Sequence, residues 1–274
     1  VSEIRLIVSD LDGTLLSPSQ QLSPLLIAAI QRYQSQGGWF SLATGRPYIT
    51  AMPIARQLGI QLPLILCNGA VMATARGAIA ERNGLDAGLL SGLLREANEA
   101  GLNILLYRGD QVYTFRHTTD IADYEHKECV TCSVISYEEE MVWRDCELDK
   151  VILLGPVETS YSLWMKWAPA LAGAAAAFQS ELNYLELVAG HVSKGTALKL
   201  LMQKLEVRPE EVMAIGNQMN DLPMLLTAGI GVAVANSPDK LKEIADYVCV
   251  NSYGDGVLEA IELFIYSSWA KARI

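Results

Sequence analysis

Cationic residues are scarce in this chain. Lys and Arg number 21 against 31 Asp and Glu, which gives a formal net charge of -10 and a pI ≈ 4.8. A nucleic-acid backbone needs a basic footprint, so nucleic acid is not expected as a main partner. Cysteine is sparse too. Cys67, Cys129, Cys132, Cys146 and Cys249 form an odd, scattered set, which argues against a disulfide scaffold and predicts a reducing, cytoplasmic setting. No apolar run approaches the ~18 residues of a membrane span, so no membrane is expected. Val1-Ser2-Glu3 offers no basic leader, and no secretory signal is expected. Repeats are absent, and Ala174-Ala175-Ala176-Ala177 is the single low-complexity tract.

What is present is apolar. Across 274 residues, hydrophobic types make up 51% and charged types 19%, enough for one large domain or two ordinary ones and too apolar for disorder.

The first third alternates strand and helix. A strand is predicted over residues 4–9, and Ser23-Pro24 caps a helix to about Gln36 that Gly37-Gly38 ends. A strand over 39–43, a helix over 47–58 and a strand over 64–67 follow. This alternation implies a Rossmann-like, doubly wound parallel sheet. The pattern then shifts. A helix is expected over 86–100, a hairpin over 103–107 and 112–115, strands over 150–154 and 184–188, and a helix over 159–171. Such a run reads as an α+β unit inserted into the first fold. From about Val192 the parallel pattern resumes. Ser193 caps a helix to Leu205, strands cover 212–215, 230–234 and 247–250, and a closing helix covers 256–270. The fold class is α/β, with a core over 1–82 and 188–274 and an inserted unit over 83–187.

The densest signal is Asp10-Leu11-Asp12-Gly13-Thr14-Leu15, at the end of the first strand. In open α/β sheets, chemistry collects beyond the carboxyl ends of the strands. Two acids two residues apart repel each other there, and a divalent cation relieves that cost while one carboxylate does covalent or acid–base work. An N-cap or Asx-turn is the plainer use of such a sequence.

Three further polar clusters follow predicted strand ends or helix starts: Thr44-Gly45, Lys194-Gly195, and Asn217 with Asn220 and Asp221. Singly, each has an ordinary reading. Thr-Gly makes turns, and the Asn/Asp group could cap a helix over 222–228. Lys194 in a first helical turn opposes the macrodipole, which is unusual. Cys129-Val130-Thr131-Cys132 with His117 and His126 lacks standard zinc spacing and reads as partly exposed surface. Trp164 and Trp167 read as helix packing, and Glu186 and His191 as hinge packing or a role at the return to the core.

Taken jointly and in order, Asp10-Leu11-Asp12-Gly13-Thr14-Leu15, Ala43-Thr44-Gly45-Arg46, Val192-Ser193-Lys194-Gly195 and Gly216-Asn217-Gln218-Met219-Asn220-Asp221 resemble the haloacid dehalogenase-like phosphatases, in the Cof-type branch (subclass IIB). Asn68-Gly69-Ala70 resembles that branch's Asn-Gly step. The resemblance spans nearly the whole chain. It implies an inserted cap over 83–187 and a Mg²⁺-dependent phosphatase for small phosphorylated metabolites, sugar phosphates foremost.

The resemblance also implies roles. Asp10 would carry the phosphoryl group, and Asp12 would act as acid and then base. The Leu11 N–H, Thr44, Gly45, Lys194 and Asn220 would bind phosphate. Mg²⁺ would sit on Asp10, Asp12 and Asn217, with Asp221 supporting. Arg46, beside the second motif, reads equally as a substrate or cap contact or as a surface salt bridge. The family pattern has Asp where this chain has Asn217, an amide that ligates without charge. Two alternatives follow: a phosphomutase or phosphotransferase, or a weakly active phosphate sensor.

Overall fold

Leu6–Ser9 is a strand buried along its whole length, because both faces of the sheet around it are covered. The computed structural model describes residues 3–138 and 143–267. These fall into two units. The first comprises the chain up to Thr44, Ala51–Ala80 and Ser193 onward; the second comprises Gly45–Thr50 and Glu81–Val192.

In the first unit, a five-stranded sheet runs in the order Tyr247–Val248, Ile230–Ala233, Val212–Gly216, Leu6–Ser9, Trp39–Leu42. Every neighbouring pair is parallel. Leu6 and Val8 point to one face, where Leu198 and Leu201 of the helix Lys194–Leu205 pack with Val212 and Ala214. The helix Pro24–Ser35 and the helix Tyr253–Ile261 contact each other, and their Leu26, Ile30, Val257 and Ala260 are buried. Ser23 caps the former, accepting from Leu26 N–H at 3.1 Å. Leu6–Ser9 lies between Trp39–Leu42, the next strand in sequence, and Val212–Gly216, reached only after the second unit, so its carboxyl end lies at a topological switch point.

Leu64–Leu66 meets the parallel sheet through one parallel bridge, Ala43 to Ile65, and then pairs antiparallel with Val71–Ala73. The parallel core is as expected, and Val71–Ala73 is an antiparallel strand beyond those predicted. Cys67–Gly69 makes a tight 3₁₀ turn with Asn68 at φ 57 and Gly69 at φ 104. A Cβ at Gly69 would fall 2.4 Å from the Ser193 carbonyl oxygen, so the turn closes against the start of the helix Lys194–Leu205 only with glycine.

The second unit holds a six-stranded sheet in the order Ala175–Glu181, Tyr184–Ala189, Lys150–Leu154, Asn103–Arg108, Gln111–Thr114, Cys132–Val134. All pairs are antiparallel except the last. The helices Ser91–Glu99 and Val157–Trp167 pack together, the Trp167 ring lying against Gly92. The helix Thr119–Glu128 buries Ile121 and Tyr124 against Leu105, Tyr107 and Ile152.

Several expectations are corrected. The predicted helix over 86–100 is Ser91–Glu99, because Leu85–Asp86 pairs as a short strand with Glu147–Leu148 and Asp86 accepts from Gly88 N–H in an Asx turn. Ala175, Ala176 and Ala177 of the alanine tract, for which no element was expected, begin the strand Ala175–Glu181 beside Tyr184–Ala189. The last strand shortens to Tyr247–Val248. The closing helix begins at Tyr253 and passes into a π-helical turn over Glu262–Tyr266, and the predicted stretch 268–270 lies outside the described residues. Among the described residues, no helix is long and apolar enough to cross a membrane.

Candidate active site

Three segments of the first unit meet at the carboxyl edge of its parallel sheet. Asp10 directly follows the strand Leu6–Ser9, and its N–H donates to the Ile215 carbonyl at 2.9 Å, which fixes it beside the neighbouring strand. The chain then turns back tightly, with Leu16 N–H donating to the Leu11 carbonyl at 2.8 Å and Gly13 at φ 78. A Cβ at Gly13 would fall 2.4 Å from the nearest atom of the Asn217 amide, so glycine lets the two loops touch. Asp10 is buried, whereas Asp12 is exposed.

Lys194 enters from the first turn of its helix. Ser193 caps that turn, accepting from Thr196 N–H at 3.0 Å while Thr196 Oγ1 accepts from Ser193 N–H at 2.9 Å. The Lys194 side chain is 1% exposed and its Nζ donates to Asp10 Oδ1 and Asp221 Oδ1, both at 2.6 Å. Two carboxylates outweigh the unfavourable helix dipole, which accounts for a cation in this position. Burial opposes the charge of Lys194, and Asp10 and Asp221 together reverse that and hold its pKa above the ordinary lysine value. Burial first, and then the charge of Asp221, push Asp10 up to about 7 against the pull of Lys194.

Asp221 has a second task. Its Oδ2 accepts from Asn217 N–H and Gln218 N–H, each at 2.8 Å, so it shapes the loop that presents Asn217. The predicted helix over 222–228 shortens to Leu222–Leu225, and Asp221 makes no side-chain cap bond to it, because its carboxylate is committed to the loop and to Lys194. Thr14 Oγ1 lies 2.9 Å from Asp10 Oδ2 and 2.9 Å from the end of the Asn217 amide. Asn220 Nδ2 donates to Asn68 Oδ1 at 3.0 Å. The Thr44 side chain is buried at the end of Trp39–Leu42, with its N–H on the Ile65 carbonyl and its carbonyl accepting from Asn68 N–H.

Asp10, Asn217, Asp221 and Lys194 are thus brought together, with Leu11 and Asp12 on the same turn. Gly45 and Arg46 belong to the segment that packs with the second unit. There the Gly45 carbonyl accepts from Lys150 Nζ at 2.9 Å, and Lys150 pairs with Glu186 at 3.1 Å, both side chains buried. His191 Nε2 lies 3.2 Å from Asn83 Oδ1. Sequence reasoning passed over Thr14, although it is the fifth residue of the first motif, and Lys150, which carries no motif at all. His117 faces Glu125 at 2.9 Å, Cys129 is exposed and Cys132 is buried, against the expectation of partial exposure. Among the described residues, no three His, Cys, Asp or Glu groups cluster as metal ligands.

The donor set at the first turn nevertheless suits a hard cation. The Asn217 amide end lies 3.1 Å from both Asp10 Oδ2 and the Asp12 carbonyl oxygen, so one carboxylate and two carbonyl-bearing groups converge. Two buried carboxylates share one lysine, which leaves negative charge for such an ion to neutralise.

A family model described as haloacid dehalogenase-like hydrolase matches residues 7–261. The chain belongs to this family. Its parallel core sheet and separate second sheet fit the fold of these hydrolases, and it is a haloacid dehalogenase-type phosphatase. The 5-amino-6-(5-phospho-D-ribitylamino)uracil phosphatase YcsE of Bacillus subtilis is 27% identical over 263 residues, covering 96% of each chain. A chloroplastic Arabidopsis thaliana protein named endoribonuclease YBEY is 27% identical over 271 residues, which is 95% of this chain and 46% of that relative. The chain therefore spans about half the length of the plant protein. A crystal structure of a haloacid dehalogenase-like hydrolase from Bacteroides thetaiotaomicron superposes with a TM-score of 0.84 at 28% identity, covering 95% of this chain and 99% of that one.

Proposed function

We propose that the chain hydrolyses phosphate monoesters of small metabolites, sugar phosphates among them, through an aspartyl-phosphate on Asp10. The observation that carries this reading is the buried Asp10 carboxylate at a strand end, held at 2.6 Å by a lysine that is itself buried. Asp10 attacks phosphorus, and the bond to the leaving oxygen breaks as Asp12 gives that oxygen a proton. Asp12 then takes a proton from the water that attacks the acyl phosphate, and phosphate leaves with Asp10 regenerated. The exposure of Asp12 suits a group that must reach both leaving group and water.

Lys194, the Leu11 N–H, Thr44, Gly45 and Asn220 bind the phosphoryl oxygens, in a reaction that depends on positioning and charge more than on elaborate covalent chemistry. Mg²⁺ would be held by Asp10, the Asp12 carbonyl and Asn217, and supplies charge neutralisation at the transferring group. Asp221 positions both Lys194 and the loop of Asn217.

Residues 83–187 act as a cap that selects the leaving group and 1–82 with 188–274 as the catalytic core; the self-contained second sheet supports this division. Arg46 serves substrate or cap. The phosphorylated ribityl chain in the name of YcsE supports a sugar-like leaving group. The acidic composition and the odd, scattered set of cysteines support a cytoplasmic small-molecule enzyme with no nucleic-acid partner. Phosphate release across sugar phosphates, nucleotides and cofactor phosphates, with and without Mg²⁺, tests the reading. Mg²⁺-dependent release strongest on sugar phosphates is expected. No release from any of them would refute it.

A further inference from the structure

Asn217 does more than leave a charge out. Thr14 has one hydroxyl proton and two neighbours at 2.9 Å, Asp10 Oδ2 and the Asn217 amide end, and of these the carboxylate is the stronger acceptor. The amide atom 2.9 Å from Thr14 Oγ1 is therefore a donor, the nitrogen of Asn217. Turned this way, the same nitrogen lies 3.1 Å from Asp10 Oδ2 and 3.1 Å from the Asp12 carbonyl oxygen. With the amide oxygen inward instead, acceptor would face acceptor at Asp10 Oδ2 and the Asp12 carbonyl oxygen, and Thr14 could donate to it only by giving up its bond to Asp10. The loop around the amide is fixed. Asn217 N–H is held by Asp221 Oδ2 at 2.8 Å, and Gly13 packs against the amide too closely to admit even a methyl group. The amide end can still turn about its own bond, which leaves both of these contacts in place.

We propose that Asn217 is an amide switch that stands in for the cation. Nitrogen inward, its two N–H groups serve Asp10, the Asp12 carbonyl and Thr14, one of them shared between two acceptors, so the turn stays organised without a divalent ion. Oxygen inward, it becomes a neutral ligand. An aspartate at 217 has no nitrogen-inward state and would set a third carboxylate against Asp10 and Asp221. Mg²⁺ therefore has to displace hydrogen bonds from this chain that an aspartate would never make. This rests on the reading of Asp10, Asp12 and Asn217 as the metal position.

The test is thermal melting of the full chain and of Asn217→Asp, in chelator and over a Mg²⁺ titration. In chelator, Asn217→Asp should melt about 2–4 °C or more below wild type, a shift of the size that ~1 kcal/mol gives a chain of this length. Mg²⁺ should raise its melting point at concentrations ten- to a hundredfold lower than wild type requires. A second readout is made on wild type and does not depend on any melting point. In ¹⁵N-edited spectra, the side-chain NH₂ pair that disappears in Asn217→Asp or Asn217→Ala should be protected from exchange in chelator and lose protection as Mg²⁺ is added. If wild type and Asn217→Asp melt together in chelator, or the pair exchanges freely there, the switch is refuted while Mg²⁺ stabilisation of Asn217→Asp leaves the metal position standing. If Mg²⁺ shifts neither protein, the metal position itself is refuted and the switch with it.

Discussion

Lys194 Nζ sits 2.6 Å from Asp10 Oδ1 with both side chains almost sealed from solvent. The same ammonium lies 2.6 Å from Asp221 Oδ1, so one cation holds two acids from two loops. Removing it leaves both carboxylates buried and uncompensated. Lys194→Met should cost about 3–5 kcal/mol of stability, the range for breaking a buried ion pair from one side. Urea denaturation followed by circular dichroism measures this, and a change below ~1 kcal/mol would show that the acids find other partners.

The hydrogen bond from Asn220 Nδ2 to Asn68 Oδ1 fixes the orientation of a proposed phosphate ligand. Asn68 sits at φ 57, so Asn68→Gly removes the amide without straining the backbone. The expected effect is a drop in kcat/KM of about tenfold, ~1.4 kcal/mol, with the fold intact. Steady-state kinetics alongside a melting curve checks it, and an unchanged kcat/KM would remove Asn220 from the phosphate site.

In the second unit, Lys150 and Glu186 face each other across neighbouring strands at 3.1 Å, both buried. Lys150→Met alone should destabilise by about 3–5 kcal/mol, and the double change Lys150→Met with Glu186→Leu should recover most of that loss. A double-mutant cycle in urea decides it. Additive losses would mean that the two charges are not coupled.

The cysteines differ in environment. Burial pushes the Cys132 and Cys249 thiols up to about 12, while Cys129 is exposed. Thiolate is the reactive form, so iodoacetamide at about pH 8 should label Cys129 in the native protein and spare Cys132 and Cys249. Peptide mass spectrometry reads this directly. Rapid labelling of Cys132 would contradict the packing of Thr119–Glu128 over its sheet.

The parallel core was legible because its strands are short apolar runs that stop at polar, Gly-containing turns; Leu6–Ser9 and Val212–Gly216 are the clearest. The residues at the ends of those runs carried the site. Legibility failed where an element depends on distant partners. Leu85–Asp86 is a strand only because Glu147–Leu148 lies beside it, and nothing local opposed a helix there. The helix Thr119–Glu128 was missed although Thr118 caps it, since its apolar face is narrow and its outer face is charged. Lys150 looks like a surface lysine until Glu186, thirty-six residues on, is folded against it. The role of Thr14 also needed the structure, because its bonds run to Asp10 and to a loop some two hundred residues away.

The central claim is that Asp10 becomes phosphorylated during turnover. The direct measurement is rapid quench of the enzyme with ³²P-labelled substrate in Mg²⁺, then mapping of hydroxylamine-sensitive label to a peptide, for wild type and Asp10→Asn. The account predicts label on the peptide containing Asp10 in wild type. Asp10→Asn should show neither label nor phosphate release, with circular dichroism unchanged. Phosphate release by Asp10→Asn at a rate near wild type, or label on a different peptide, would contradict it.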